Sequence, residues 1–302
     1  MNKHAYLIVA NSNLLVLRTC LRMIDDARND IYLLLDKKAG IREDIIESLK
    51  GEVILSKVVV SNTLSINWGG YSQIEAVLVL LKSALSSGIE YRYLHFFQGS
   101  DLPIKTQDEI HHYFDNCRGQ QFISVEKSRS MMAESKCWYR HFFCHNRFYR
   151  KNRMMKALNF AFVYLQKGLH IRYNTDIKLY QGSALFSITK GFAEYLIKNE
   201  EEIHRRFRWS LAADECFVQT MAMKSEYKDF IEGIEGQTSC NARLIDRTRP
   251  DGKNSPHVWR SDELDFILNQ PTNICFARKF DERIDIDIVK QIEITLLQHR
   301  NE

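Results

Sequence analysis

The first 125 residues switch repeatedly between short apolar runs and amphipathic segments, and that alternation constrains the fold more than any other feature of this chain. Tyr6-Leu-Ile-Val-Ala10 reads as a buried strand, and residues 14–26 read as an amphipathic helix. A second strand is expected at 31–35, a short helix at 43–49 and a Val/Ile-rich third strand at 53–60. After Trp68-Gly-Gly-Tyr-Ser72 comes an apolar helix over 73–85, its start set by the capping-box spacing of Ser72 and Glu75. A fourth strand at 91–97 ends in Gly99-Ser-Asp-Leu-Pro103, followed by a helix at 108–114 and a strand at 121–125. Such alternation predicts an α/β fold with a mostly parallel central sheet flanked by helices. Ligands of such sheets collect at the carboxyl ends of the strands.

The second half is less regular. A strand is expected over 179–188 across a Gly182-Ser183 bend, with helices at 191–199, 214–224, 262–269 and 285–297. With 45% hydrophobic residues and a formal charge of +4, the composition excludes intrinsic disorder. A chain of 302 residues buries roughly three quarters of its unfolded surface. Four prolines, 13 glycines and no Ser/Gly/Pro-rich linker favour one continuous domain. The charge is too small to imply a nucleic-acid partner. Seven scattered cysteines suit reduced thiols in the cytoplasm. Tyr6–Ala10 is too short for a signal core or an anchor, and no later run reaches ~18 apolar residues, so the expectation is a soluble or peripheral protein.

From Lys136 to Lys156 there are seven Lys/Arg, no acid and six interleaved aromatics. Cys137, His141, Cys144 and His145 fall on one face if this segment is helical, a spacing that raises zinc but makes a poor four-ligand cage. No nucleic-acid motif accompanies the basic residues. Peripheral contact with the inner face of an anionic membrane fits them better, as does a plain solvated insertion.

Several segments, in order, resemble glycosyltransferase family 14, the family of the core 2 and I-branching β-1,6-N-acetylglucosaminyltransferases and peptide O-xylosyltransferases. They are His4–Ala10, Asn29-Asp-Ile-Tyr-Leu-Leu-Leu-Asp-Lys-Lys38, Asn67-Trp-Gly-Gly-Tyr-Ser72, Gly99-Ser-Asp-Leu-Pro-Ile-Lys105, Tyr180-Gln-Gly-Ser183, Ala213-Asp-Glu215 and Phe276-Ala-Arg-Lys-Phe-Asp281. The resemblance implies a GT-A fold over residues 1–302, with a nucleotide-sugar half near 1–125 and an acceptor and catalytic half near 126–302. It also implies inverting transfer from a UDP-sugar, N-acetylglucosamine by best guess, to a glycan or lipid-linked glycan. No metal or other cofactor is implied. Most GT-A enzymes carry an Asp-x-Asp after the fourth strand, whereas this loop reads Gln98-Gly-Ser-Asp101. Asp285-Ile-Asp287 falls in an expected helix and makes a poor Mg²⁺ cage.

By the same resemblance Glu215 is the catalytic base and Arg278 and Lys279 are the diphosphate cations, with Arg260 a further candidate. Fixed cations suit metal-free stabilisation of a leaving diphosphate. The donor pocket would use Asp36, Trp68, Gly69, Gly70, Ser100 and Asp101, and the acceptor side Ser183 and Asp214. Each has a plain alternative: Asp36 and Asp101 as turn carboxylates, Trp68 as a core aromatic, Asp214 and Glu215 as acids at a helix start. One departure stands out. The family places a polar residue and a Trp after Tyr-Gln-Gly-Ser183, and here the pair is Ala184-Leu185. Resemblance to bacterial members suggests surface-polysaccharide assembly. The opposing readings are a non-catalytic nucleotide- or glycan-binding protein on the same fold, and an adaptor using the basic segment.

Overall fold

The computed structural model describes residues 2–126, 130–146, 148–149, 151–233, 240–249, 251 and 255–298. The elements begin with β1 (Lys3–Ala10), α1 (Leu14–Ile24), β2 (Asn29–Leu35), α2 (Glu43–Lys50), β3 (Lys57–Ser61) and α3 (Ser72–Leu85). Next come β4 (Tyr91–Gln98), β5 (Asp101–Pro103), α4 (Gln107–Asn116), β6 (Phe122–Ile123), α5 (Ser130–Cys137) and α6 (Arg153–Gly168). β7 (Phe186–Ile188), α7 (Lys190–Lys198), α8 (Glu200–Phe207) and α9 (Phe217–Lys224) follow. The chain closes with β8 (Arg243–Ile245), α10 (Leu264–Leu268), β9 (Phe276–Arg278) and α11 (Asp287–Gln298).

The chain forms two compact units, one of residues 1–63, 89–119 and 242–302, the other of 64–88 and 120–241. The expected division near residue 125 crosses this one, because α3 groups with the second unit and residues 242–302 with the first.

In the first unit β3, β2, β1 and β4 lie side by side in that order, all parallel. β2 is buried throughout, as the continuous apolar run requires of a strand covered on both faces. The order reverses between β1 and β4, creating a switch point at their carboxyl ends. Gly99 sits there: a Cβ on it would lie 2.9 Å from the Ala10 Cβ, so only glycine fits without movement. A small second sheet pairs β5 antiparallel and β8 parallel with β9. In the second unit β6 and β7 pair antiparallel, and α3 packs on α7.

Several expectations need correction. The third strand starts at Lys57 because the Asp25 carboxylate captures the amides of Ile54, Leu55 and Ser56 at 2.8–2.9 Å, leaving none for a ladder. Ser72 and Glu75 form no capping box. The Ser72 hydroxyl accepts from the Asn67 amide at 2.7 Å, closing the Trp-Gly-Gly turn instead. Of the strand expected over 179–188, only Phe186–Ile188 forms. The basic segment is not one helix: α5 ends at Cys137, a 3-10 turn spans Phe142–His145, and α6 starts at Arg153. Cys137, His141, Cys144 and His145 therefore do not share one helical face, and His141 instead meets Asn159 at 3.0 Å. Arg147 and Arg150 of this segment lie outside the described residues. Asp285 precedes α11 and accepts from the amides of Asp287 and Ile288, a capping role.

Candidate active site

In the first unit the carboxyl end of β4 turns through Gln98–Asp101 into β5. The Asp101 side chain, 2% exposed, accepts from the Gln98 amide at 2.8 Å through Oδ2. Its Oδ1 takes a 2.6 Å bond from Arg278, directly opposite in the antiparallel β5–β9 pair. Arg278 also donates to Gln98 Oε1 at 2.6 Å. The guanidinium is thus fixed by two acceptors on one turn, the preorganisation an oxyanion-binding cation needs. Trp259, buried, clamps the backbone behind it: its indole donates to the Arg278 carbonyl at 2.9 Å and its amide to the Lys279 carbonyl at 3.0 Å.

The other first-unit candidates have structural occupations. Ser100 Oγ accepts from Asn13 at 3.2 Å, and its carbonyl accepts from the Phe280 amide at 2.9 Å. Asp36 ends β2 and caps a 3-10 turn through the Lys38 amide at 3.0 Å, with the Lys38 ammonium at 3.8 Å. Arg260 forks onto Asp251 at 2.9 and 3.4 Å and donates to the Val258 carbonyl, so its guanidinium is already engaged.

In the second unit the Trp-Gly-Gly turn and the Ala213–Glu215 turn are stitched together. Gly69 has φ +76°, a left-handed conformation that glycine tolerates at no cost. Its carbonyl accepts from the Ala212 amide at 2.8 Å, and its amide donates to Gln73 Oε1 at 2.5 Å. Gln73 passes the link on, donating to Asp214 Oδ2 at 3.1 Å. A Cβ on Gly70 would sit 3.4 Å from the Asn67 carbonyl oxygen. Trp68 is 46% exposed.

Glu215 lies in a 3-10 turn entered through Ala212 at φ 48°. The Lys136 ammonium holds its Oε2 at 2.7 Å, and Gln181 donates to the same oxygen at 3.3 Å. Among the described residues Oε1 has no hydrogen-bond partner, and the side chain is about a third exposed, at 32%. Burial disfavours the Lys136 charge, but the Glu215 carboxylate outweighs it and raises that pKa. Burial first and the Glu215 charge second push the neighbouring Asp214 carboxyl up to about 7. Its Oδ1 is buried and unpartnered. The carboxyl held in a neutral-leaning environment is therefore Asp214.

Gly182 donates to the Glu215 carbonyl at 2.9 Å, and a Cβ on it would fall 1.6 Å from the Ser124 carbonyl oxygen. Ser183 is committed to the backbone: Oγ accepts from Leu185 at 3.2 Å, and its carbonyl accepts from Gln219 at 2.6 Å. Leu185, standing at the departure from the family pattern, is a core residue. Sequence reasoning missed Gln98, Trp259, Gln73, Lys136 and Gln181. Within reach were Gln181, which lies inside a quoted motif, and Gln98 and Gln73, which adjoin quoted motifs.

Comparison with known proteins finds relatives that are named for sugar transfer. Xylosyltransferase sqv-6 of Caenorhabditis briggsae is 23% identical over 264 residues, covering 78% of this chain and 29% of that protein. The β-1,3-galactosyl-O-glycosyl-glycoprotein β-1,6-N-acetylglucosaminyltransferase 4 of Danio rerio is 22% identical over 311 residues, 96% of this chain and 68% of that one. The probable human enzyme 7 of the same description is 24% identical, covering 96% and 66%. The chain thus spans less than a third of the nematode protein and about two thirds of the vertebrate ones. The model of the Core-2/I-branching enzyme family matches residues 4–254, five sixths of the chain, and the protein belongs to that family.

Proposed function

We propose that the chain is a glycosyltransferase that moves a sugar, N-acetylglucosamine in the first instance, from a UDP-sugar to a hydroxyl of a glycan, with inversion and with fixed cations in place of a metal. Family membership and the relatives' names support sugar transfer in general. The acceptor O–H gives its proton to Glu215, and its oxygen bonds the anomeric carbon from the face opposite the diphosphate. The bond from that carbon to UDP breaks, its electron pair leaving on the β-phosphate oxygen. Arg278 and Lys279 take up the growing negative charge.

The observation that carries this reading is the state of two carboxylates. Glu215 keeps one oxygen unpartnered among the described residues, while Lys136 and Gln181 orient it through the other. Asp101 is the reverse, with both oxygens taken, so a divalent cation would have to displace Arg278. Melting in the presence of UDP and UDP-sugars, in EDTA and in Mn²⁺, tests the donor site. A ligand at ~100 times its Kd adds about 2.7 kcal/mol. The expected shift persists in EDTA, and one seen only with Mn²⁺ overturns the metal-free route. Glu215→Gln is expected to keep the UDP shift and lose turnover; full turnover would remove Glu215 as base. The buried Leu185 favours a second reading, non-catalytic binding, in which UDP shifts the melting but no sugar is released.

A further inference from the structure

The helix α6 is built inside out. Asn152 caps it, accepting from the amides of Met154 and Met155. The residues it buries are Asn159, Val163 and Gln166. Two of the three are polar: the Asn159 amide nitrogen meets His141 at 3.0 Å, and Gln166 takes the Arg140 amide at 2.9 Å and returns a bond to the Arg140 carbonyl at 3.0 Å. Facing outward are Met154, Leu158, Phe160, Tyr164, Leu165 and Leu169 at its C-cap, each 46–66% exposed. At 100° per residue these six fall on one continuous arc of about half the circumference. An apolar face of that width in water marks an interaction surface.

The charge around it selects the occupant. Residues 135–175 hold nine Lys/Arg and no Asp/Glu. Lys156 and Lys167 lie together along one edge of the apolar arc, with Lys167 5.4 Å from the Tyr164 ring centre. A second copy docked on this face would set cation against cation, whereas an anionic lipid surface complements it. Sixteen residues make a helix of about 24 Å, short of the ~20 residues that span a bilayer. No described helix is long and apolar enough to cross a membrane.

We infer that α6 lies in the plane of an anionic membrane surface, its Met154–Leu169 face sunk among the acyl chains and its lysines among the headgroups. The sequence expectation of membrane contact spans Lys136–Lys156, and the inferred contact is centred on α6, which begins within that range. This inference is independent of the transfer chemistry proposed above.

Co-sedimentation with phosphatidylcholine vesicles, with and without phosphatidylglycerol, tests it. Binding is expected with phosphatidylglycerol, weakening as salt rises. Leu158→Ser/Leu165→Ser is expected to bind about tenfold or more weakly, with unchanged circular dichroism and an unchanged UDP melting shift. Lys156→Glu/Lys167→Glu is expected to lose the preference for the anionic lipid. In Phe160→Trp, vesicles are expected to blue-shift the new tryptophan emission. Absence of binding, or binding indifferent to the double serine change, overturns the inference. So does a dimer that the serine changes dissociate in a protein that ignores vesicles.

Discussion

In the first unit, several buried polar groups partner one another beside an apolar sheet. Asp30 is held by Lys3 at 2.8 Å and Tyr91 at 2.6 Å, and Asn29 joins Gln107 to His111. In the second unit, α6 turns Asn159 and Gln166 inward and its apolar residues outward. The difference lies in what decides which face is buried. On β2 the covering layers decide, and apolar residues fill both faces. On α6 the need to satisfy the Arg140 backbone decides, because a buried polar group left unpaired costs about 1–3 kcal/mol. Hydrophobic periodicity reports the first situation and misreads the second.

The sharpest contrast between the units is at glycine. Gly182→Ala drives a methyl to 1.6 Å from the Ser124 carbonyl oxygen, at a residue whose amide holds the Glu215 carbonyl. Its expected cost is above about 5 kcal/mol, seen as loss of soluble folded protein. Gly99→Ala meets a methyl at 2.9 Å and is expected to cost about 1–3 kcal/mol by denaturant unfolding. Equal costs would mean that the two turns are equally yielding.

Next in size is Arg278→Ala, which leaves the buried Asp101 charge uncompensated. About 3–5 kcal/mol is the usual penalty for breaking such a pair. Arg278→Lys is expected to recover part of the stability and little of the UDP shift, since an ammonium cannot fork between Asp101 and Gln98.

These residues also measure how far the sequence could be read. Strands β1, β2 and β4 and helices α1, α2 and α4 were legible because their apolar pattern coincides with their burial. Asp101 and Arg278 could each be picked out from short motifs, yet their pairing, 177 positions apart, is a consequence of β5 meeting β9. Residues 53–56 look like strand because Val and Ile are there. The carboxylate that claims their amides, Asp25, is invisible to a local pattern. Nor does any spacing say that Lys136 reaches Glu215, since α5 brings it there from 79 residues away.

Buried histidines and a buried carboxyl respond to pH with opposite sign. In the first unit His4, His95 and His111 are buried and their pKa values lowered, His111 to about 3, chiefly by desolvation. The His4 and His111 rings stack with their centroids 4.0 Å apart. Their stability contribution is whole above the unfolded value of about 6.5 and is lost as pH falls below it. Asp214 in the second unit is the opposite case. Its folded carboxyl titrates near 7 against an ordinary 3.8, so its contribution is whole at low pH and is lost as pH rises between those values. Each group changes stability by at most about 1.4 kcal/mol per pH unit. Thermal melts from pH 4 to 8 on Asp214→Asn are expected to gain on the parent as pH rises. A constant difference would mean that Asp214 is not the titrating group.

The smallest expected effect concerns α6, where the absence of an effect is informative. Leu165 points into solvent, whereas Leu81 of α3 in the same unit is fully buried. Leu81→Ala is expected to cost about 2–5 kcal/mol, the range for a buried leucine that leaves a cavity. Leu165 is 57% exposed and loses little packing in Leu165→Ser, so the unfolding free energy is expected to change by no more than about 0.5 kcal/mol. Gln166→Leu, a gain in hydrophobicity one position along, is expected to cost more than Leu165→Ser, because it strands both the amide and the carbonyl of Arg140. Denaturant unfolding of the three variants ranks them directly. If Leu165→Ser proved as costly as Leu81→Ala, the outward face of α6 would be covered by this protein itself, and its apolar width would need no lipid to explain it.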